Sequence, residues 1–167
     1  MKIENQNTFD KESNLSKKTE CKIDTDLELI IPSTYVENVN ERLYIYSEIS
    51  KLNSLEKLNE KIDELVDRFG ETPIQFNNLI KSIKLKWKAE SIGISKMIIK
   101  NKSLIIIMPE RKDKNYYESS SFKKILDAIN TNPQLYMIKE KNDRLYIYIN
   151  KKIKSVIEAD EILSTFE

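Results

Sequence analysis

The sequence contains no histidine, which excludes imidazole general-base catalysis and the usual zinc sites. Its only two glycines, Gly70 and Gly93, stand too far apart to build a phosphate-cradling loop. The one cysteine, Cys21, excludes an internal disulfide. With no histidine to activate it, Cys21 reads as an incidental thiol in a mobile stretch. No serine sits in a nucleophile elbow. No apolar run reaches the ~20 residues of a membrane-spanning helix, and the N-terminal MKIENQNTFDKESNLSKK lacks the apolar centre of a signal peptide. These absences predict a soluble chain of a reducing, cytoplasmic setting, with no membrane contact, no metal, no cofactor and no catalytic centre. The 27 acidic residues leave carboxylate chemistry open in principle, but their spacing is that of helix surfaces.

What is present is a chain of 167 residues with an uneven charge distribution. Residues 25–93 carry 9 Lys/Arg against 12 Asp/Glu, net −3, and residues 94–154 carry 14 against 6, net +8. The basic half is either a lysine-solvated strand region or an electrostatic patch for nucleic acid or an acidic partner. Tyr136, Tyr146 and Tyr148 lie there among Lys139, Lys141, Arg144, Lys151 and Lys152. They could stack bases, or simply pack well on strands.

The hydrophobic pattern predicts an α+β fold: an N-terminal helical half, three helices after a short strand, followed by two β-hairpins with interleaved and C-terminal helices. Residues 1–24 show no period and read as a disordered arm or linker, leaving residues 25–167 as one domain. Leu27, Leu29 and Ile31 alternate as a short strand. A first helix then carries Val36, Val39, Leu43, Tyr46, Ile49 and Leu52 on one stripe, capped by Ser33 or Thr34. A second, capped by Ser54, carries Leu55, Leu58, Ile62, Leu65 and Phe69. Gly70 stands at its left-handed C′ position. Thr72-Pro73-Ile74-Gln75 reads as a capping box opening a third helix that runs to about Ile92 and contacts two sides. Residues 97–108 form a hairpin whose second strand, Leu104–Met108, is apolar enough to be covered on both faces, and Pro109 ends it. Glu110 to Asn115 is a charged loop. A helix capped by Ser119, Ser120 or Ser121 precedes a second hairpin, with Leu145, Ile147 and Ile149 inward and Tyr146 and Tyr148 outward. A last helix from about Ile153 turns Val156, Ile157, Ile162, Leu163 and Phe166 inward.

The corner Leu65-Val66-Asp67-Arg68-Phe69-Gly70-Glu71-Thr72-Pro73 organises this plan. Phe69, Gly70 and Pro73 are explained by packing, backbone freedom and helix initiation. Glu64 and Asp67 are not, because they lie near a helix C-terminus, where the macrodipole disfavours negative charge by a few tenths of a kcal/mol. Either Arg68 or Arg42 offsets them, or they form an acidic docking face for a basic partner.

The run Ile31-Pro32-x-x-Tyr35-Val36, Arg42-Leu43, Tyr46, Glu64-Leu65-Val66-Asp67-Arg68-Phe69-Gly70-x-x-Pro73, Leu79, Ala89 and Gly93 resembles the C-terminal domain of bacterial transcription-repair coupling factors. The likeness is specific from about Leu27 to Gly93 and looser beyond, and Val36 and Val66 replace the isoleucines common in that family. The resemblance implies a non-catalytic regulatory domain, with residues 1–24 matching a linker from ATPase motors that lie outside this chain. Its parent would be an ATP-dependent DNA translocase that displaces stalled RNA polymerase and recruits nucleotide excision repair. The domain would pack as an autoinhibitory clamp on an N-terminal helicase-like module, masking the surface that binds the damage-sensing repair ATPase. Glu64, Asp67 and Arg68 would then be its partner-binding residues, with Phe69, Gly70 and Pro73 shaping the corner.

Overall fold

The structure, a computed structural model, describes residues 19–167. Its elements are β1 (Lys22–Thr25), α1 (Val39–Ser50), α2 (Leu55–Phe69), α3 (Ile74–Ile92), β2 (Lys96–Lys100), β3 (Ser103–Glu110), α4 (Lys114–Tyr117), α5 (Ser120–Thr131), β4 (Tyr136–Lys141), β5 (Arg144–Ile149) and α6 (Val156–Ser164). This is the expected α+β order. The strands make one sheet, β1-β2-β3-β5-β4, parallel between β1 and β2 and antiparallel elsewhere. Both hairpins turn on residue pairs with positive φ, Asn101-Lys102 and Asn142-Asp143, the backbone that two-residue turns need to match strand twist.

Two hydrophobic cores result. In one, α5, α6 and the C-terminal half of α3 (Leu85, Ala89, Ile92) cover one face of the sheet, through Met97, Ile99, Leu104, Ile106, Ile147 and Ile149 among others. In the other, α1 and α2 meet the N-terminal half of α3, through Ile45, Ile49, Leu58, Leu65, Phe76 and Ile80. The two-sided apolar pattern of α3 thus serves two cores in succession along its length, with Trp87 partly buried against the helical one.

Several expectations need correction. The first strand lies at Lys22–Thr25 rather than Leu27–Ile31, so Cys21 is fully buried and not in a mobile arm. An edge strand paired on one side needs little sequence signal. Past its end, Thr25 Oγ1 donates to Ile99 O and accepts from Leu27 N, holding the chain as it leaves the ladder. Leu27 and Leu29 then pack on the sheet core while Ile31 enters the helical core, so their alternation bridges two cores without pairing. The rest of the expected arm, residues 1–18, lies outside the described residues.

Helix α1 starts at Val39 with Asn38 as its cap, not after Ser33 or Thr34. Tyr35 N and Val36 N instead donate to Pro32 O in a separate turn. Val36 is therefore off the helix, and only part of the expected stripe points inward: Val39 and Leu43 are 58% and 60% exposed, Ile49 is buried with Tyr46 and Leu52 packed beside it, and Ile45, outside the stripe, is buried too. Pro73, with ψ 164°, is the cap of α3 and supplies no side-chain bond. Thr72 does not make a capping box with Gln75; its hydroxyl and carbonyl clasp the Asn77 amide at 2.6 and 3.1 Å. Strand β3 continues through Pro109 across an irregularity between Ile107 and Glu110, where a missing N–H costs no ladder bond. A short helix, α4, occupies part of the expected charged loop and the residues after it. Ser119 is the cap chosen for α5. Helix α6 begins at Val156 after Ser155, and Ile157 faces solvent. The second face of β3 is only partly covered: Ile105 and Ile107, with Ile98, Tyr146 and Tyr148, belong to neither core cluster, although Ile107 is itself buried at 7% exposure and Ile105 is half-buried.

Candidate functional site

Helix α2 is held firmly. Ser54 caps it by accepting from Lys57 N, and Leu58 and Leu65 are fully buried. At its other end Gly70 N donates to Val66 O at 2.8 Å. Gly70 has φ 83° and ψ −170°, so it uses glycine's freedom at positive φ but not the left-handed helical region; the chain leaves extended and without a further turn. The Tyr35 hydroxyl locks this exit, donating to Gly70 O at 2.8 Å and reaching Leu65 O at 3.3 Å. Its ring lies 5.8 Å from both Phe69 and Phe76, and burial raises its hydroxyl pKa. Nothing in the sequence marked Tyr35 as this lock beyond its place in the family motif.

The charged residues of the corner divide into two sets. Glu64 is answered within the chain: Lys61 Nζ lies 3.0 Å from both of its oxygens, and Arg68 lies at 4.0 Å. Arg68 pairs with Glu41 of α1 and covers the Phe69 ring at 4.8 Å. Arg42 takes no part, being engaged with the carbonyls of Val36 and Glu37 at 2.6 and 2.9 Å. So Arg68 and Lys61 do the offsetting, and Glu41, Lys61, Glu64 and Arg68 join α1 to α2 across the surface.

Asp67 has no ion-pair partner among the described residues, and neither do Glu56, Glu60 and Asp63. All four are exposed. Steps of 4, 3 and 4 residues place them on one stripe of α2, directly opposite Leu58 and Leu65. One flank of the stripe carries the exposed apolar side chains of Leu55 and Val66. The acidic face expected at Glu64 and Asp67 therefore runs the length of the helix, with Asp67 on its axis and Glu64 on its edge. The spacing of Glu56, Glu60 and Asp63 is visible in the sequence, as is the i,i+3 step from Lys61 to Glu64 on the same helix; what was not visible is that Glu41 of α1 engages Arg68.

Elsewhere the chemistry is quiet. Among the described residues no group of three or more Cys, Asp or Glu side chains is placed to hold a metal ion, and no helix is long and apolar enough to cross a membrane. Burial and the nearby Glu90 carboxylate push the Cys21 thiol up to about 12, which keeps it protonated and unreactive.

A family model for the TRCF domain matches residues 25–119. The transcription-repair-coupling factor of Rickettsia conorii is 29% identical over 143 residues, covering 84% of this chain and 12% of that protein. The Rickettsia bellii protein of the same name is 30% identical over 143 residues, 84% of this chain and 12% of its own length. The Buchnera aphidicola one is 29% identical over 150 residues, 90% and 17%. The chain thus spans only about an eighth to a sixth of the curated relatives it matches. A crystal structure of the C-terminal domain of transcription-repair coupling factor superposes with TM-score 0.69 at 19% identity, over 89% of this chain and 90% of that one. With the corner motif and the α+β fold behind it, the conclusion from the family model is plain: this chain belongs to the TRCF domain family of the transcription-repair coupling factors.

Proposed function

We propose that this chain is a regulatory interaction domain that acts without catalysis of its own, holding a basic surface of its parent protein through the acidic stripe of α2. The parent on this reading is a cytoplasmic, ATP-dependent DNA translocase that displaces stalled RNA polymerase and recruits nucleotide excision repair. The surface held is an N-terminal helicase-like module, and holding it masks the site for the repair ATPase. The observation that carries the proposal is the run of four exposed, unpaired acids, Glu56, Glu60, Asp63 and Asp67, on a rigid helix. Leu55 and Val66 beside them add apolar area. Glu64 and Arg68 border the contact and are available at its rim, both being about half exposed. An autoinhibitory contact must release, and charge complementarity over a modest area gives specificity without irreversible affinity.

The test is titration of the parent's N-terminal module with this domain in trans. Asp63→Lys with Asp67→Lys should weaken binding by about tenfold or more, because like charge across an interface is costly. Glu64→Ala with Asp67→Ala should weaken it less, since Glu64 is already half satisfied by Lys61. Equal affinity for wild type and the double reversal would remove the acidic stripe from the mechanism.

A further inference from the structure

The sheet has one face against the helices and one face without them. On the second face the strand register lines up two rows of side chains running across all five strands. The first row is Lys22, Lys96, Ile107, Tyr146, Lys139, in the order β1-β2-β3-β5-β4. The second is Asp24, Ile98, Ile105, Tyr148, Met137. None of these residues belongs to either core. At strand spacings of ~4.8 Å the rows span about 19 Å. A shallow hollow of about 450 Å³ opens on the first row between Lys22, Lys96, Ile107 and Tyr146.

The charges of this face are sorted. Asp24 is held by Lys100 at 2.6 Å, and Glu110 by Lys112 at 2.6 Å and Arg144 at 3.2 Å. Glu20, at the rim of the hollow, is turned to Lys86 at 3.6 Å. Lys22, Lys96 and Lys139 have no ion-pair partner among the described residues. Lys139 instead sits over the Tyr148 ring, 5.3 Å from its centroid. The face therefore offers three cations without a carboxylate partner, one of them resting on a tyrosine ring, around two half-buried tyrosines and an apolar strip of Ile98, Ile105 and the largely buried Ile107. It presents no unpaired carboxylate among these residues.

The geometry points to a binding face for single-stranded DNA, and we propose it as such, separately from the acidic stripe of α2. Free lysines at both ends of a row suit a polyanion that crosses the strands. The two tyrosines between them suit bases, whose faces are exposed only in a single strand. A duplex hides those faces, and an acidic peptide has no use for the rings. Apart from the tyrosine hydroxyls the rows offer no neutral hydrogen-bonding group to read a ribose 2′-hydroxyl, which makes DNA the source. A sheet of this width with two aromatic residues accommodates two or three stacked bases.

The experiment is fluorescence anisotropy of a labelled 12-nucleotide oligo(dT) with the full chain. Three lysine–phosphate contacts predict a log–log salt slope of about −2, so that binding weakens about 15-fold between 50 and 200 mM salt. Tyr146→Leu with Tyr148→Leu should weaken it tenfold or more at fixed salt, with the fold checked by circular dichroism. Lys22→Gln with Lys139→Gln should bring the slope near −0.7. Lys123→Gln with Lys124→Gln on α5 should change affinity less than twofold. Binding of duplex DNA or of poly-glutamate as tightly as oligo(dT), tighter binding of oligo(U), or indifference to the tyrosine pair overturns the proposal. So does a dimer in sedimentation that buries this face.

Discussion

The two glycines separate backbone strain from steric clash. Gly93 closes α3 in the left-handed conformation, φ 89° and ψ 21°. A Cβ there would lie 2.2 Å from Cε2 of Tyr116, and 3.0 and 3.1 Å from Cδ2 and Cζ. The ring cannot simply swing aside. Its hydroxyl donates to Ile92 O at 3.1 Å, and it packs against Tyr117 and Phe122 with centroids at 5.4 and 5.8 Å. Gly93→Ala therefore meets three costs: ~1–2 kcal/mol for a left-handed L-residue, ~1–3 for displacing a packed ring, and ~1 for the lost hydrogen bond. The total is about 3–6 kcal/mol, a fall in Tm on the order of 10 °C for a chain of this size. Gly70 also has positive φ, but a Cβ there meets nothing within 4 Å, so Gly70→Ala costs only the ~1–3 kcal/mol of strain. The assay is urea unfolding of Gly93→Ala, Tyr116→Ala and the double variant. With the ring gone, Gly93→Ala should fall to the strain alone, giving a coupling of about 2–4 kcal/mol in the cycle. Additivity within ~0.5 kcal/mol would refute the clash and with it the close docking of α4 on the end of α3.

Tyr35→Phe should cost about 1 kcal/mol and speed amide exchange selectively at residues 66–71, since the hydroxyl bonds to Gly70 O and Leu65 O are what it removes; uniform exchange throughout α2 would show that the corner needs no lock. Cys21 gives an alkaline signature. Its thiol pKa rises from 9.0 to about 12 on folding, so above pH 9 the unfolded chain has lost a proton that the folded chain keeps. Stability is then complete below pH 9 and falls as pH rises towards 12. Cys21→Ala should flatten that limb in pH-dependent unfolding, and a thiol probe at pH 8 should label wild type only at the rate of opening.

How far the sequence could be read depended on how many independent signals converged. Helix α2 has an N-cap, a regular apolar stripe and a terminal glycine, and all three agree with Leu55–Phe69. The second hairpin has strict alternation, so Leu145, Ile147 and Ile149 turn inward as expected and Tyr146 and Tyr148 do not. Tyr136 departs from them: it faces the core and its hydroxyl meets Thr165 at 2.7 Å, because its cross-strand partner is Ile149 and not a residue of the open face. Helix α1 failed because Val36 and Val39 are three apart yet lie in different local structures, and a step count cannot see the turn that Pro32 imposes. Strand β1 failed because its stability comes from β2, 74 residues away at the Lys22–Lys96 pair. The acidic site was half legible. Spacing gives the stripe and the local Lys61–Glu64 pair, but that Arg68 turns to Glu41 of α1 is a fact of helix packing.

The charge asymmetry of the sequence takes a definite form in the fold. The acidic half contributes one unpaired stripe on α2, and the basic half contributes two of the three unpaired lysines on the open sheet face, Lys96 and Lys139, with Lys22 of β1 as the third. The two surfaces share no residue, and substitutions at one should not alter the other. On the proposed regulatory reading, tethering also sets how strong the acidic contact has to be. Two parts of one chain meet at an effective concentration on the order of 1 mM. An intrinsic Kd of about 10 µM then keeps ~99% of molecules closed, and weakening the contact by ~2.7 kcal/mol opens half of them. Four surface acids, each worth a fraction to a few kcal/mol against a complementary patch, lie in the range where release is feasible. A large apolar interface would not, and α2 has buried its apolar face inward, against α1 and α3, leaving charge as the means by which it can hold and let go.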